Sequence, residues 1–354
     1  MTLTTLVTTD ATARIRAQVR AERRALTHRI LMVILALAVA VLLLFCASLM
    51  FGSVTLSPAA AISGLTGSGD TATVFVVREL RLPRATAAVL VGLALGAAGT
   101  LFQRVLGNPL ASPDFLGVAA GAGTATAAAL VFGGVAGLAL PVYALVGGGV
   151  TAILIYAVAW RRGVSEYRFI LVGIGIGTFA TSVTSYLVAR AEFSDARAAM
   201  TWLTGSVGMA TPETTALVSA ALLALVPTGF AVSRMLRRLE LGDDTARMLG
   251  ARVERDRLVV LAVGVILVSV ATAAVGPIMF VAMLAGPLAQ ILIGASGRSI
   301  LAAALVGAVV LQIADLLAQH ALPWPISTGV VTGAFGAPYI AWMLISAARR
   351  TRAA

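Results

Sequence analysis

Ten apolar stretches separated by short polar segments run through the chain, at about residues 30–51, 85–103, 115–132, 138–160, 168–189, 214–233, 258–275, 278–293, 299–318 and 326–346. A helix rises 1.5 Å per residue, so roughly 20 apolar residues cross the ~30 Å core of a bilayer, and each stretch is predicted to be a spanning helix. The pattern specifies an all-α, polytopic membrane domain over 30–346. Residues 1–29 and 347–354 are polar, basic tails. Ten is even, which places both tails on one side. The first stretch is longer than a secretory-signal core and lacks a small-residue cleavage site, so it is predicted to be retained. Gly92, Gly96 and Gly99 in the second helix, and Gly173, Gly175 and Gly177 in the fifth, predict close helix packing. The GIGIG run lies mid-membrane with no strand before it, which excludes a dinucleotide loop.

One polar segment stands out. RMLRRLELGDDTARMLGARVERDR, 234–257, is the longest strongly charged segment after the N-terminal tail. Leu239, Leu241, Met248 and Leu249 interleave with Asp243, Asp244 and Arg247, the pattern of two short amphipathic helices broken at Gly242 and ended at Gly250. A purely solvated loop needs no apolar face. The regularity points to a partner on the cytoplasmic side.

Composition excludes several classes. A hydrophobic share of 59%, a charged share of 12% and a mean hydropathy of +0.98 fit no soluble domain. All 26 basic residues are arginine. Without lysine there is no Walker A lysine and no Schiff-base lysine, so any ATP hydrolysis belongs to another polypeptide. With the N terminus inside, Arg78, Arg81, Arg84, Arg190 and Arg197 fall outside and every other arginine falls inside. That asymmetry accounts for the net charge of +11 without nucleic acid, and it places both termini in the cytoplasm. Cys46 is the only cysteine, which excludes an intrachain disulfide, and Phe45 before it argues against lipidation. His28 and His320 are isolated, and no metal site is predicted.

Four groups of residues are candidates for function. Arg78, Arg81 and Arg84 stand on the disfavoured outer side, either snorkelling at a helix end or forming a docking patch for an acidic external partner. Asp315 lies within an apolar stretch, either accepting a hydrogen bond from a neighbouring helix or serving as a relay. Asn108 and Pro109, after Gly107, end the second helix as a terminator or a gate. Ser165, Glu166 and Tyr167 form a later cytoplasmic turn.

RLPR at 81–84, GNPLASPDFLGVAAGAG at 107–123, LGDDTARMLG at 241–250, GPIMFVAMLAGPLAQ at 276–290 and STGVVTGAFGAPY at 327–339 together resemble the FecCD-type permeases, the membrane halves of ATP-binding cassette (ABC) importers for iron chelates, haem and cobalamin. The resemblance covers the chain from about residue 30 to its end. It implies a type II importer permease fold in the plasma or inner membrane, pairing with a second permease, identical or different. Two ABC ATPases would dock on 234–257, and only they would bind ATP; this chain has no cofactor and no catalytic residue. A substrate-binding protein would dock outside on Arg81 and Arg84, with Arg78 beside them. The resemblance places Asn108, Leu110, Glu166 and Tyr167 near the cytoplasmic gate.

The PWPIS and GAPY segments look most like ferric siderophore permeases of the enterobactin type, with cobalamin or haem as the alternative cargo. The chain departs from the pattern where Gly286, Pro287 and Gln290 replace a Pro-polar-Arg run, where Ile326 to Gly329 replace Leu-Pro-Val-Gly, and where Gln319 replaces an outer arginine. The rival classes are a proton- or ion-coupled carrier working through Asp315 and an exporter or channel with no need of an external binding protein.

Overall fold

The computed structural model describes residues 3–52, 54–114, 117–133, 137, 139–160, 166–294 and 298–353. It is all-helical, with no strand among the described residues. Helix α1 (Leu3–Met50) merges the basic tail and the first predicted span into one rod. After α2 (Pro58–Thr66), α3 (Thr71–Phe75) continues through a π-helical turn (Val76–Arg81) into α4 (Leu82–Val105). RELRLPR is therefore inside a helix and not in a loop leading to it. A proline in mid-helix lacks a donor and crowds the preceding turn, and the wider π turn just before Pro83 absorbs that conflict.

The chain goes on through α5 (Val118–Gly133), α6 (Ala139–Ala159), α7 (Glu166–Arg190), α8 (Phe193–Leu203), a 3₁₀ turn (Val207–Met209), α9 (Pro212–Leu239), α10 (Asp243–Met248), α11 (Val253–Val275), α12 (Val281–Ile293), α13 (Ile300–His320) and α14 (Thr328–Ala353). Among the described residues, eight helices are long and apolar enough to cross a membrane. The two remaining predicted spans are the shorter apolar helices α5, of 16 residues, and α12, of 13. At 1.5 Å per residue these reach about 24 and 20 Å, short of a ~30 Å core. The backbone before each is non-helical, at 106–114 and 276–280. Such backbone is tolerated at membrane depth only where protein buries it. Ala111, Ser112, Gly276 and Ile278 are buried accordingly.

Helix α4 is the centre of the bundle, with 72% of its most apolar window buried, against 17% for α9 at the periphery. Its glycines permit this. A Cβ at Gly92 or Gly96 would stand 2.5 Å from Ala308 Cα or 2.4 Å from Ala303 O of α13, and one at Gly99 1.8 Å from Ala282 O of α12. With apolar lipid outside, close packing of small residues replaces the hydrophobic effect as the force between helices. The second glycine set is divided. A Cβ at Gly177 would stand 2.9 Å from Gly117 Cα, whereas Gly175 faces open space.

Candidate functional site

Arg78, Arg81 and Arg84 are not one exposed patch. Arg81 is buried, and its guanidinium donates to the carbonyls of Leu49 (2.8 Å), Met50 (3.0 Å) and Val54. It ties the end of α1 to the π turn through three bonds to backbone carbonyls. Arg78 is exposed while donating twice to Leu65 O, at 3.0 and 2.8 Å. Arg190 and Arg197 are exposed as well.

Arg84 is engaged elsewhere. Its Nε and Nη2 donate to Asp315 Oδ2 and Oδ1, both at 2.9 Å. The same carboxylate accepts from Thr328 Oγ1 at 2.8 Å and from Gln319 Nε2 at 2.9 Å. Asp315 is 2% exposed, so four donors fill the acceptor positions of a carboxylate cut off from water. The cluster joins the start of α4, the end of α13 and the start of α14. The pair makes Asp315 the acceptor of hydrogen bonds from a neighbouring helix, the first of the two readings of it, and leaves the Arg84 side chain 26% exposed.

The charged segment at 234–257 forms one short helix rather than two. α9 runs unbroken to Leu239; Gly242, at φ 87°, turns the chain into α10, and Gly250, at φ 78°, turns it out. Ala246, Ala251 and Val253 are buried around Leu239. Leu241, Met248 and Leu249 are 54%, 84% and 61% exposed, a projecting apolar tip. Asp243 and Asp244 take Arg247 at 3.7 and 3.0 Å, and Arg257 holds Asp243 at 3.0 Å. The tip is thus presented on a braced frame.

Glu240 anchors that frame. Its Oε1 accepts from Arg104 at 2.6 Å and from Arg298 at 2.9 Å, linking the end of α9 to the end of α4 and to the segment before α13. Burial opposes ionisation, yet the hydrogen bonds and positive charges of the two arginines win and hold the carboxyl below the ordinary Glu value. A depressed folded-state pKa stabilises the fold fully above the unfolded value and loses that contribution as pH falls through the folded one. Glu240→Gln is expected to cost about 1.5–3 kcal/mol at neutral pH. Thermal unfolding in detergent should show wild type converging on the variant as pH falls below about 4.5, the ordinary value for Glu.

Asn108, Pro109 and Leu110 lie on the loop after α4, where Asn108 Oδ1 accepts the Leu110 N–H at 2.9 Å. Tyr167 is 76% exposed at the start of α7. Ser165 and the side chain of Glu166 fall outside the described residues.

A cleft of about 630 Å³ opens between α5, α7 and α8, with Asp114, Thr181, Thr184, Ser185, Met200 and Met279 among its walls. Along α7, Thr178, Thr181, Ser182 and Ser185 are exposed at helical spacing. Each hydroxyl donates to the carbonyl four residues back, at 2.8–3.0 Å. Outward-facing α6 instead presents Val146, Val150 and Ile153. Acceptor lone pairs on α7 favour water or protein over lipid.

The sequence profile of the FecCD transport family matches residues 39–346. The chain belongs to the FecCD transport family. Over 301 residues it is 38% identical to FepG, the ferric enterobactin transport system permease protein of Escherichia coli (strain K12), covering 84% of this chain and 91% of that one. Over 325 residues it is 35% identical to YfmE, the Fe(3+)-citrate import system permease protein of Bacillus subtilis (strain 168), covering 91% and 97%. Its fold is similar to a solved metal-chelate type ABC transporter in an inward-facing conformation, with a TM-score of 0.77 and 24% identity over 89% of this chain and 99% of that one.

Several residues that organise this FecCD chain carried no clear signal. Glu240 is the single acid in the run RRLEL, an interruption that marks an ion-pair anchor once noticed. Thr328 opens the last helix as a helix-starting residue and spends its hydroxyl on Asp315 instead. Phe280 has a left-handed backbone, φ 71°, with no marker in its side-chain type.

Proposed function

We propose that this chain is the permease subunit of an ABC importer that carries ferric siderophores into the cytoplasm. It crosses the plasma or inner membrane ten times, with both termini inside. The relationship to ferric-chelate permeases along most of the chain carries this reading. It acts with a second permease, two ATPases that bind and hydrolyse ATP, and an external binding protein. The exposed tip of Leu241, Met248 and Leu249 is the surface for an ATPase, since three apolar side chains exposed on a braced cytoplasmic helix suit a partner's groove. The hydroxyl face of α7 suits a wet path against the second permease. Of Arg78, Arg81 and Arg84, Arg78 is the one left exposed for an acidic binding protein.

The cycle then needs no chemistry on this chain. Approach of the ATPases moves α10, and Glu240 transmits the motion through Arg104 to α4 and the Asn108–Leu110 loop and through Arg298 to α13. The test is uptake of ⁵⁵Fe as a panel of ferric siderophores, beside labelled cobalamin and haem, in cells with and without the gene. Loss of uptake of one ferric siderophore on deletion is the expected result. Gene-dependent uptake of cobalamin or haem alone overturns the cargo, and unchanged uptake of the whole panel overturns the importer reading.

A further inference from the structure

The two non-helical segments that precede α5 and α12 meet at one carboxylate. Asp114, half-buried on the wall of the cleft, accepts the backbone N–H of Phe280 and the Ser112 hydroxyl, the latter at 3.2 Å. Phe280 is the one non-glycine residue with positive φ among the described residues. A bulky side chain disfavours that region, so the conformation persists only where surrounding contacts over-determine it. Asp114 supplies one such contact from the backbone side.

The other contact comes from α14. A Cβ at Gly336 would stand 2.4 Å from both Cβ and Cγ of Phe280, and one at Gly333 would stand 3.9 Å from Cε2. The Phe280 ring therefore occupies room that glycine leaves on α14. At its start α14 is tied through Thr328 to Asp315. Asp114 belongs to the same loop as Asn108, Pro109 and Leu110. A continuous line of contacts runs from that loop, across Phe280, to α14, with the cleft beside it.

Resting on the importer reading, we propose that Asp114 is a positioning residue of the transport cycle: its bond to Phe280 holds the ring as a wedge against the glycine face of α14, so that loop 107–114 and α14 shift together. Without the acceptor, Phe280 relaxes toward negative φ, the ring leaves Gly336, and α14 no longer follows the loop. What matters is an accepting oxygen at position 114, not its charge. Asn keeps that oxygen and Ala removes it.

The experiment uses the complete importer in vesicles, with the ferric chelate that wild type takes up in the panel above. One readout is ATP hydrolysed per iron imported. The second needs no cargo: maleimide labelling of Phe335→Cys, an exposed position on α14, in a Cys46→Ser background, with and without ATP and vanadate. Asp114→Ala is expected to keep its ATP turnover, raise ATP consumed per iron by about fivefold or more, and abolish the nucleotide-dependent change in labelling. Asp114→Asn is expected to stay within about twofold of wild type on both readouts. Wild-type coupling in Asp114→Ala overturns the proposal, and so does an Asp114→Asn variant as uncoupled as Asp114→Ala. If Asp114→Ala does not assemble, Gly336→Ala displaces the ring from the other side and is expected to uncouple in the same way; wild-type behaviour there overturns the proposal. A wild type that imports no chelate defeats the importer reading instead, and the labelling readout still decides the wedge.

Discussion

Replacing Arg84 with Ala is expected to destabilise the protein by about 3 kcal/mol, the low end of the 3–5 that follows from removing one partner of a buried ion pair. The low end applies because the Arg84 side chain is 26% exposed and part of its charge already meets solvent. The remaining cost arises on the other partner. Asp315 is 2% exposed and keeps only Thr328 and Gln319 as donors, neither of them charged. The two single truncations should therefore differ. Asp315→Ala leaves an arginine that can turn outward to water, and is expected to cost clearly less than Arg84→Ala. The double variant should resemble Asp315→Ala, because the uncompensated carboxylate is gone. Unfolding of the three variants in detergent measures this. Equal costs for the two single variants would mean that charge burial is not what the pair resolves. Asp315→Asn separates the importer from the rival class, since a carrier coupled through Asp315 loses all transport with the amide, whereas an ATP-driven importer stays dependent on its ATPase.

The bilayer made the fold legible. It demands about 20 apolar residues per crossing, so the positions of the long helices could be read from pattern. The two spans that came out short, α5 and α12, came out so because apolar composition does not say whether buried backbone is helical. The sites were less legible, for a different reason. Arg81 and Arg84 sit three residues apart, and their fates depend on partners 32 and 231 positions away, Leu49 O and Asp315. Nothing local distinguishes an arginine that greets a partner from one that closes a bundle. The α10 tip was readable because its exposed leucines and methionine lie within one short charged segment. Phe280 was not, because backbone sign has no side-chain signature outside glycine and asparagine.

Gly99→Ala is expected to leave no folded protein, while Gly175→Ala is neutral or slightly stabilising. The two positions looked alike in sequence, each within a run of spaced glycines in an apolar helix. At Gly99 the new methyl would lie 1.8 Å from Ala282 O, 2.5 Å from Ala282 C and 2.9 Å from its Cα. These are backbone atoms in the first turn of α12, and no rotamer change moves them. α4 cannot retreat either, because Gly92 and Gly96 hold it against the backbone of α13, where a Cβ would stand 2.5 and 2.4 Å away. Ordinary overpacking costs about 1–3 kcal/mol because side chains give way. Here two helices must separate, and the loss is expected to exceed the roughly 4–5 kcal/mol that marks exceptional substitutions. Separation would also carry Val281 and Phe280 away from Asp114, so any protein that survives should be uncoupled as well. At Gly175 nothing lies within 4 Å, and alanine gains the roughly 0.5–1 kcal/mol that glycine loses in a helix interior. The yield of monodisperse protein in detergent and its unfolding temperature measure both. Comparable behaviour of the two variants would mean that α4 and α12 are not held as close as the Gly99 contact requires.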